Sequence, residues 1–385
     1  MRCIIISPNH ANRTHGTGKQ IQYFIERCGM DCFHVCWQAG RPHGDERCLS
    51  LNLNRDLAWR LPLRRGVGYL NRLEEMAGLS WIRKGDLQRQ PLNRLRDAAA
   101  RFCPTVAYVI VHSEFDAHIA LACLKELCIP YVLNWMDLSE KPGLSPARNP
   151  AIFELCQRAK AIFCLTRALA QEIDRVSASP SRRLMFGRPS VFDASKPWKG
   201  DGPVRGVFVG STDYASIEHL WPEIVKNIRL TGVRLDIFYI GPERMYNKIP
   251  KQVKAVNLGS VEDDKRDEWL RTMHMAFLPG PDTDPEDDFV TRYSMPSRIA
   301  DFLWFGLPIA ATVSSESATG QELAQIPEGS VLISLDPGDL AQKILESLRS
   351  RRELDISEGA GIEYASRFLD SEKIVSEITA ALRNG

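Results

Sequence analysis

Hydrophobic and polar positions along the chain fall into two kinds of segment that alternate almost throughout. The first kind is a short, nearly continuous apolar run, as at 2–7, 106–111, 205–209 and 275–278. Such runs are typical of strands buried on both faces of a parallel sheet. The second kind has the three- and four-residue apolar spacing of an amphipathic helix, as at 217–229. Strands and helices in alternation predict an α/β protein.

A stretch rich in proline, glycine and charge, residues 193–203, interrupts this alternation. The chain has 385 residues, more than one hydrophobic core usually carries, so we expect two domains. We place an N-terminal domain at 1–193, a linker at 194–204, a C-terminal domain at 205–370 and a final helix at 371–385 that returns to the first domain. Each domain should be a Rossmann-like, doubly wound parallel sheet. The two should face a central cleft, where the carboxyl ends of the strands receive ligands.

Residues 293–310 contain the most clearly marked helix in the sequence. Ser294 is a suitable N-cap, Pro296 suits the first helical turn, and Gly306 suits the residue after the helix end. The apolar run 309–313 follows and predicts a buried strand. The sequence therefore predicts a capped helix directly before a strand of the second sheet.

The first turn of this helix carries groups that suit an anion. The amides of a helix N-terminus, the Ser297 hydroxyl and the Arg298 guanidinium would meet a diphosphate, and Asp301, one turn further, would meet a ribose. An ordinary capped helix with an Arg298–Asp301 pair is the alternative. The predicted donor-binding residues of this segment are Ser294, Met295, Pro296, Ser297, Arg298 and Asp301.

Other residues follow predicted strands and therefore belong at the carboxyl edges of the sheets. Those of the C-terminal domain, expected beside the same ligand, are Gly210, Ser211, Gly241, Gly259 and Val261. Those of the N-terminal domain that suit acid–base chemistry are His112, Glu114 and Asp137.

His112 is a candidate general base because an imidazole accepts a proton near neutral pH. Glu114 and Asp137 are the competing carboxylates. The alternatives are a hydrogen-bonded loop histidine at 112, a solvated acid at 114 and a turn residue or helix cap at 137.

A glycine-containing segment follows the first predicted strand. Arg13 and Gln20 exclude a P-loop, and the second strand does not end in the acid of a dinucleotide-binding motif. We expect Gly16, Thr17 and Gly18 to form a flexible turn that lines the cleft, near the acceptor or the sugar of the donor. A plain strand-to-helix turn is the alternative.

Composition and charge narrow the class of protein. A formal net charge of +1 argues against a general nucleic-acid binder. No apolar run reaches the about 18 residues of a membrane span, and the short apolar start does not resemble a signal peptide. The ten cysteines lack a Cys-x-x-Cys motif, which favours reduced thiols in a cytoplasmic protein. The acidic loop 281–288 has no defined ligand geometry, so we expect no metal.

Residues 55–101 are rich in arginine with interleaved aromatic and aliphatic residues. Such a segment suits peripheral docking on an anionic membrane surface. A helical excursion whose basic side faces water is the alternative.

Residues 296–309 resemble a segment of the GT-B glycosyltransferases, in particular family 4 (group 1). The family pattern Pro-Ser-Lys-x-x-Glu-Tyr-x-x-x-Gly-x-Pro-Val corresponds here to Pro-Ser-Arg-Ile-Ala-Asp-Phe-Leu-Trp-Phe-Gly-Leu-Pro-Ile. Residues 259–261 with 276–279, and residues 158–166, also resemble elements of that family.

This resemblance implies a C-terminal domain that binds a nucleotide-diphosphate sugar and an N-terminal domain that binds the acceptor. Ser297 and Arg298 would meet the diphosphate, Asp301 the ribose, and Gly259 and Val261 the base. The chain departs from the family pattern in several places. Tyr293 replaces a frequent Glu, residues 210–213 carry no cation, and Met136 replaces a frequent His. In this it resembles the more divergent bacterial polysaccharide enzymes.

The sequence and the resemblance together predict a GT-B glycosyltransferase that uses a UDP- or GDP-sugar and no metal or other cofactor. The acceptor would be a saccharide or lipid-linked saccharide of polysaccharide or glycoconjugate synthesis. The alternatives are a nucleotide-sugar epimerase on the same fold and a non-catalytic nucleotide- or sugar-binding protein.

Overall fold

The computed structural model describes residues 1–11, 16–37, 47–51, 89–139, 143–184, 187–188, 198, 200, 202–210, 214–280, 289–327, 329–354 and 359–384. Contacts divide the chain into two compact units. The N-terminal unit comprises Met1–Cys164, Ala170–Arg182 and Val375–Gly385, and the C-terminal unit comprises Leu165–Leu169 and Arg183–Ile374. The final residues of the chain therefore group with the N-terminal unit.

The N-terminal unit is built on a seven-stranded sheet of order β3-β2-β1-β4-β5-β6-β7. Its strands are β1 (Arg2–Ser7), β2 (Asp31–Cys36), β3 (Cys48–Ser50), β4 (Val106–Val111), β5 (Tyr131–Trp135), β6 (Ala161–Cys164) and β7 (Arg182–Arg183). Neighbouring strands from β3 to β6 pair in parallel. The helices along this stretch are α1 (Gly16–Arg27), α2 (Arg89–Phe102), α3 (Glu114–Leu127), α4 (Pro150–Arg158) and α5 (Arg167–Asp174).

The C-terminal unit is built on a six-stranded parallel sheet of order β10-β9-β8-β11-β12-β13. Its strands are β8 (Val204–Val209), β9 (Leu235–Ile240), β10 (Ala255–Asn257), β11 (Met275–Pro279), β12 (Ile309–Thr312) and β13 (Val331–Ile333). The helices that follow β8 are α6 (Ala215–Leu230), α7 (Glu243–Tyr246), α8 (Asp263–Arg271), α9 (Phe289–Tyr293), α10 (Arg298–Trp304), α11 (Ala318–Leu323), α12 (Pro337–Leu354), α13 (Gly359–Phe368) and α14 (Ser371–Arg383), with a 3-10 turn at Lys251–Val253.

Buried apolar strands form the centre of each unit. All of β4 is buried, and so is β1 from Cys3 to Ser7, as expected where both faces of a parallel sheet are covered. In the C-terminal unit, Phe208 packs edge-on against Trp221 with ring centroids 4.9 Å apart, and Phe277 lies 4.8 Å from Trp221. These rings join β8 and β11 to α6.

The predicted fold class is confirmed, since both units are α/β with doubly wound parallel sheets. Two local predictions are wrong, and one strand was not predicted. The helix within 293–306 begins at Arg298 because α9 already ends at Tyr293 and a connection follows it. Residues 16–18 form the first turn of α1 rather than a flexible turn. The pattern also did not predict β3, because three residues are too short for a recognisable apolar run.

Candidate functional site

The strand order of both sheets contains a switch point. The sequence of strands reverses between β1 and β4 in the N-terminal sheet and between β8 and β11 in the C-terminal sheet. Loops leave the two strands of a switch point in opposite directions, and open α/β sheets bind ligands outside the carboxyl ends there. Residues that follow these strands are therefore the candidate site residues of each unit.

Glycines follow the four strands around the C-terminal switch point. Gly210, Gly241 and Gly280 come directly after β8, β9 and β11, and Gly259 comes two residues after β10. Gly210 has a φ of 76° and Gly259 a φ of 75°, in the left-handed region that favours glycine. A Cβ added to Gly259 would meet nothing within 4 Å. This edge presents backbone to which a phosphate or a base can come close.

Arg298 brings a buried positive charge to the same edge. Its Nη1 donates to the carbonyl oxygen of Val209, the last residue of β8, at 2.8 Å. Its Nη2 lies 3.4 Å from the carbonyl oxygen of Pro279, the last residue of β11. Arg298 is only 8% exposed. The guanidinium therefore spans the switch point.

Burial disfavours the charged form of Arg298 and lowers the pKa of its guanidinium, while the nearby phenols of Tyr214 and Tyr239 act in the opposite direction. A bound anion would also favour the charged form. The cation at this edge is thus chemically suited to a phosphate group.

Tyr239 is a site residue that sequence reasoning missed. Its hydroxyl lies 2.8 Å from the carbonyl oxygen of Gly210 and 3.2 Å from that of Pro242. Burial raises the pKa of Tyr239 to about 12, so the phenol is neutral at physiological pH. The one feature of the sequence that could have indicated Tyr239 is its position two residues before Gly241. The rest of that strand has the pattern of a buried core strand.

The connection between α9 and α10 holds the other predicted residues of this segment. The carbonyl oxygen of Ser294 accepts a hydrogen bond from Thr319 Oγ1 at 3.1 Å. Met295 is buried, Pro296 half-buried and Ser297 exposed. The predicted N-cap at Ser294 is wrong, because Ser297 holds the N-cap position of α10 with helical backbone angles.

Asp301 belongs to an ion-pair network of two arginines and two carboxylates. Its Oδ1 accepts from Arg188 Nε at 2.6 Å, and Arg188 also pairs with Asp267 at 2.6 and 2.7 Å. Arg266 Nη2 lies 3.7 Å from Asp301 Oδ2. Although burial opposes its charge, the carboxylates of Asp301 and Asp267 raise the pKa of Arg188. Arg298 and Asp301 thus have different partners, and the contact of Asp301 with a ribose stays a prediction.

The remaining predicted donor residues lie on or beside the carboxyl edge. The Gly241 amide donates to the carbonyl oxygen of Gly259 at 3.0 Å, which joins the ends of β9 and β10. Val261 is half-buried two residues further along. Ser211 lies outside the described residues.

Glu114 caps a neighbouring helix. Its Oε1 and Oε2 accept from the amides of Ala151 at 2.9 Å and Ile152 at 3.0 Å, in the first turn of α4. A carboxylate at a helix N-terminus satisfies amides that lack intrahelical partners and is favoured by the helix dipole. Glu114 is buried, so the interpretation as a solvated acid is wrong. This geometry gives it a structural role.

His112 directly follows β4, at the N-terminal switch point. Its amide donates to Asp116 Oδ2 at 3.1 Å, and Trp37 Nε1 donates to Asp116 Oδ1 at 3.0 Å. Burial raises the pKa of Asp116, and His112 opposes this shift. His112 Nδ1 lies 3.8 Å from Asp137 Oδ2, whereas His112 Nε2 is buried without a hydrogen-bond partner among the described residues. The structure therefore brings His112 and Asp137 together, with Asp116 and Trp37 as supports that the sequence did not indicate.

Some of the predictions concern residues that lie wholly or partly outside those that the structure describes. The acidic loop 281–288 and residues 52–88, most of the basic segment, are not among the described residues. Residues 16–18 are described as the first turn of α1, and their proximity to an acceptor stays a prediction. Among the helices that the structure describes, none combines the length and apolar character needed to cross a membrane.

Comparison with proteins of known structure identifies the fold. No protein-family model matches the sequence, and no curated protein sequence is significantly similar to it. Solved structures do match over the whole chain. The lipopolysaccharide outer core galactosyltransferase WaaB is 11% identical with a TM-score of 0.57, over 99% of both chains. Anabaena HepE in complex with UDP is 11% identical with a TM-score of 0.64, over 100% of both chains.

A third match is the UDP-GlcNAc 2-epimerase from Methanocaldococcus jannaschii, 10% identical with a TM-score of 0.54, over 99% of this chain and 100% of that chain. At such identities the likeness concerns the fold. The chain has the GT-B fold, and the resemblance noted in the sequence is confirmed at that level.

Proposed function

We propose that the protein is a glycosyltransferase that moves a sugar from a nucleoside-diphosphate sugar, carrying UDP or GDP, to an acceptor hydroxyl. The observation that carries this proposal is the buried guanidinium of Arg298 across the β8–β11 switch point. The fold supports it, since the HepE structure with the same fold contains UDP.

The chemistry of sugar transfer suits this edge. The bond from the anomeric carbon to the diphosphate breaks, and negative charge develops on the leaving phosphate oxygen. A preorganised buried cation stabilises that charge more strongly than water does. Glycine at Gly210 and Gly259 lets the diphosphate and the base reach the backbone. Asp301 would accept from a ribose hydroxyl, with Arg188 fixing its orientation.

His112 is the proposed base that removes the proton of the acceptor hydroxyl. Its Nε2 is buried and has no partner among the described residues, and Asp137 lies on the Nδ1 side at 3.8 Å. A carboxylate on that side would stabilise the imidazolium formed by proton transfer. Glu114 is less suited to this role because both of its oxygens accept from amides of α4.

The proposed acceptor is a saccharide or lipid-linked saccharide in polysaccharide or glycoconjugate synthesis. Its support is the arginine- and aromatic-rich composition of residues 55–101, which would suit peripheral contact with the inner, cytoplasmic face of an anionic membrane. No metal or other cofactor has a role in this scheme.

A nucleotide-sugar epimerase is the second candidate, favoured by the fold shared with the UDP-GlcNAc 2-epimerase. The first experiment is a thermal-shift screen against UDP-, GDP-, ADP- and dTDP-sugars, because ligand binding stabilises the folded state. The stabilising donor is then incubated alone and with a saccharide panel, and products are identified by mass spectrometry and NMR. A transferred sugar supports the proposal. Altered donor without acceptor indicates an epimerase, and binding without turnover a non-catalytic protein.

A further inference from the structure

Two histidines and two cysteines lie close together near the carboxyl ends of β1 and β2, beside the first residue of β3. This His–Cys cluster consists of His10, His34, Cys36 and Cys48. Cys36 Sγ lies 3.1 Å from His10 Nδ1, and Cys48 Sγ lies 3.6 Å from the same nitrogen. One ligand atom from each of His10, Cys36 and Cys48 lies within 4.8 Å of the others. His34 Nδ1 lies beside this group of three, 4.0 Å from Cys48 Sγ.

The fold assembles the cluster from three segments. His34 and Cys36 are two residues apart on β2 and therefore lie on one face of that strand. Cys48 on β3 is the register partner of His34, which places it on the same face. His10 comes from the segment that follows β1. The four side chains thus converge although 38 residues separate the first from the last.

Hydrogen bonding fixes the tautomer of His34 in a form that suits a metal. The Ser7 hydroxyl has one proton and donates it to the carbonyl oxygen of Asn9 at 2.7 Å. In its 2.8 Å contact with His34 Nε2 the same hydroxyl must therefore accept, so Nε2 carries the proton. In the neutral ring, Nδ1 then keeps its lone pair on the side of Cys48. Metal-ligating histidines typically donate their other N–H to such an oxygen.

We infer that the His–Cys cluster binds one Zn²⁺ ion, through the thiolates of Cys36 and Cys48 and through one ring nitrogen each of His10 and His34. Tetrahedral zinc with ordinary bond lengths places sulfur and nitrogen ligands about 3.6 Å apart. The distances of 3.1, 3.6 and 4.0 Å bracket that value. Binding releases the two thiol protons, and no bond is oxidised or reduced.

The surroundings suit a structural zinc site. His34 and Cys36 are buried, while His10 and Cys48 are partly exposed and leave a path for the ion. His10, Cys36 and Cys48 supply three ligands, and His34 Nδ1 would complete the sphere by a shift of its ring towards the ion, which would leave no position for substrate. The ion would join the exit of β1 to the short edge strand β3, and it would act independently of sugar transfer.

Metal content of tag-free, full-length protein tests this inference, measured by elemental mass spectrometry. We expect one zinc per chain. Replacing zinc with Co²⁺ should give a thiolate-to-cobalt charge-transfer band and the visible bands of a tetrahedral site. Chelation should lower the melting temperature, and added zinc should restore it.

Two variants and two controls locate the site. Cys48→Ser and His10→Ala should weaken zinc retention against a competing chelator by at least about tenfold, the scale of losing metal-site groups. Cys103→Ser and Cys128→Ser, which change exposed cysteines elsewhere, should retain zinc like the wild type. Far-UV circular dichroism checks that each variant is folded. Substoichiometric zinc with no cobalt charge-transfer band would overturn the inference. So would equal zinc retention by all four variants, or a Cys36–Cys48 disulfide that persists in the presence of zinc.

Discussion

Arg298 offers the sharpest test of the proposed donor site. Arg298→Met keeps an unbranched side chain of similar length but removes the charge and the donors to Val209 and Pro279. A charge-assisted hydrogen bond contributes about 1.5–3 kcal/mol. Each 1.4 kcal/mol is tenfold in affinity, so UDP or GDP should bind roughly 10- to 150-fold more weakly.

Two opposing effects set the stability of the ligand-free variant. Loss of the guanidinium leaves the Val209 carbonyl oxygen without this donor, at a cost of about 1–3 kcal/mol. Removal of a buried cation offsets part of that cost, because burial disfavours its charged form. The variant should therefore stay folded at room temperature, and its weaker binding should be measurable by titration calorimetry.

Arg229→Met is the matched control. Arg229 also donates to backbone carbonyl groups, those of Val253 at 3.2 Å and Gln252 at 3.3 Å, but it lies at the end of α6, away from the carboxyl edge. Its loss should affect stability and spare nucleotide affinity. Unchanged UDP and GDP affinity in Arg298→Met, or an equal loss in Arg229→Met, would refute the assignment of the diphosphate to Arg298.

Three further predictions address the other groups. His112→Ala should lower turnover by about 10²–10⁴-fold, the usual contribution of a general base, with nucleotide affinity unchanged in calorimetry; full activity would exclude His112. Glu114→Gln should lower the free energy of unfolding by about 1–3 kcal/mol in urea, because the amide offers one acceptor oxygen to the two α4 amides, and a stable variant would contradict the capping role. Burial, aided by Arg205, lowers the pKa of His274 to about 4 from 6.5, so the unfolded chain binds more protons between these values. Stability should therefore fall as the pH drops from 6.5 towards 4, by at most about 3 kcal/mol, and His274→Asn should reduce this dependence in urea titrations.

The sequence by itself determined the arrangement of strands and helices. Residues 106–111 were predicted as a buried strand, and β4 has those bounds, Val106–Val111. The final helix, placed at 371–385, spans Ser371–Arg383. Burial of both faces requires an uninterrupted apolar run, and burial of one helix face requires spacing of three and four. Both requirements act on neighbouring residues, so they are visible in the sequence.

The partners of the polar side chains were decided only by the tertiary structure. The Arg298–Asp301 spacing allowed an ion pair, yet Asp301 pairs with Arg188, 113 positions away, and Arg298 with carbonyl groups at two strand ends. The sequence indicated charged or titratable side chains at 298, 301 and 114, but not which partners these side chains contact. A residue three positions away on a helix is one possible ion-pair partner, and groups from distant parts of the chain that the fold brings equally close can take its place.

Contacts between residues far apart in the sequence also account for the Glu114 cap and for the His–Cys cluster, neither of which the sequence indicated. Glu114 meets the amides of α4 across 37 positions, because parallel strands bring successive helices side by side. His10, His34, Cys36 and Cys48 lie on a strand exit and two neighbouring strands, and the register of β2 with β3 sets their separation. Metal-site motifs depend on short spacings within one segment. Here the distances between ligand atoms follow from sheet pairing, which only the folded chain defines.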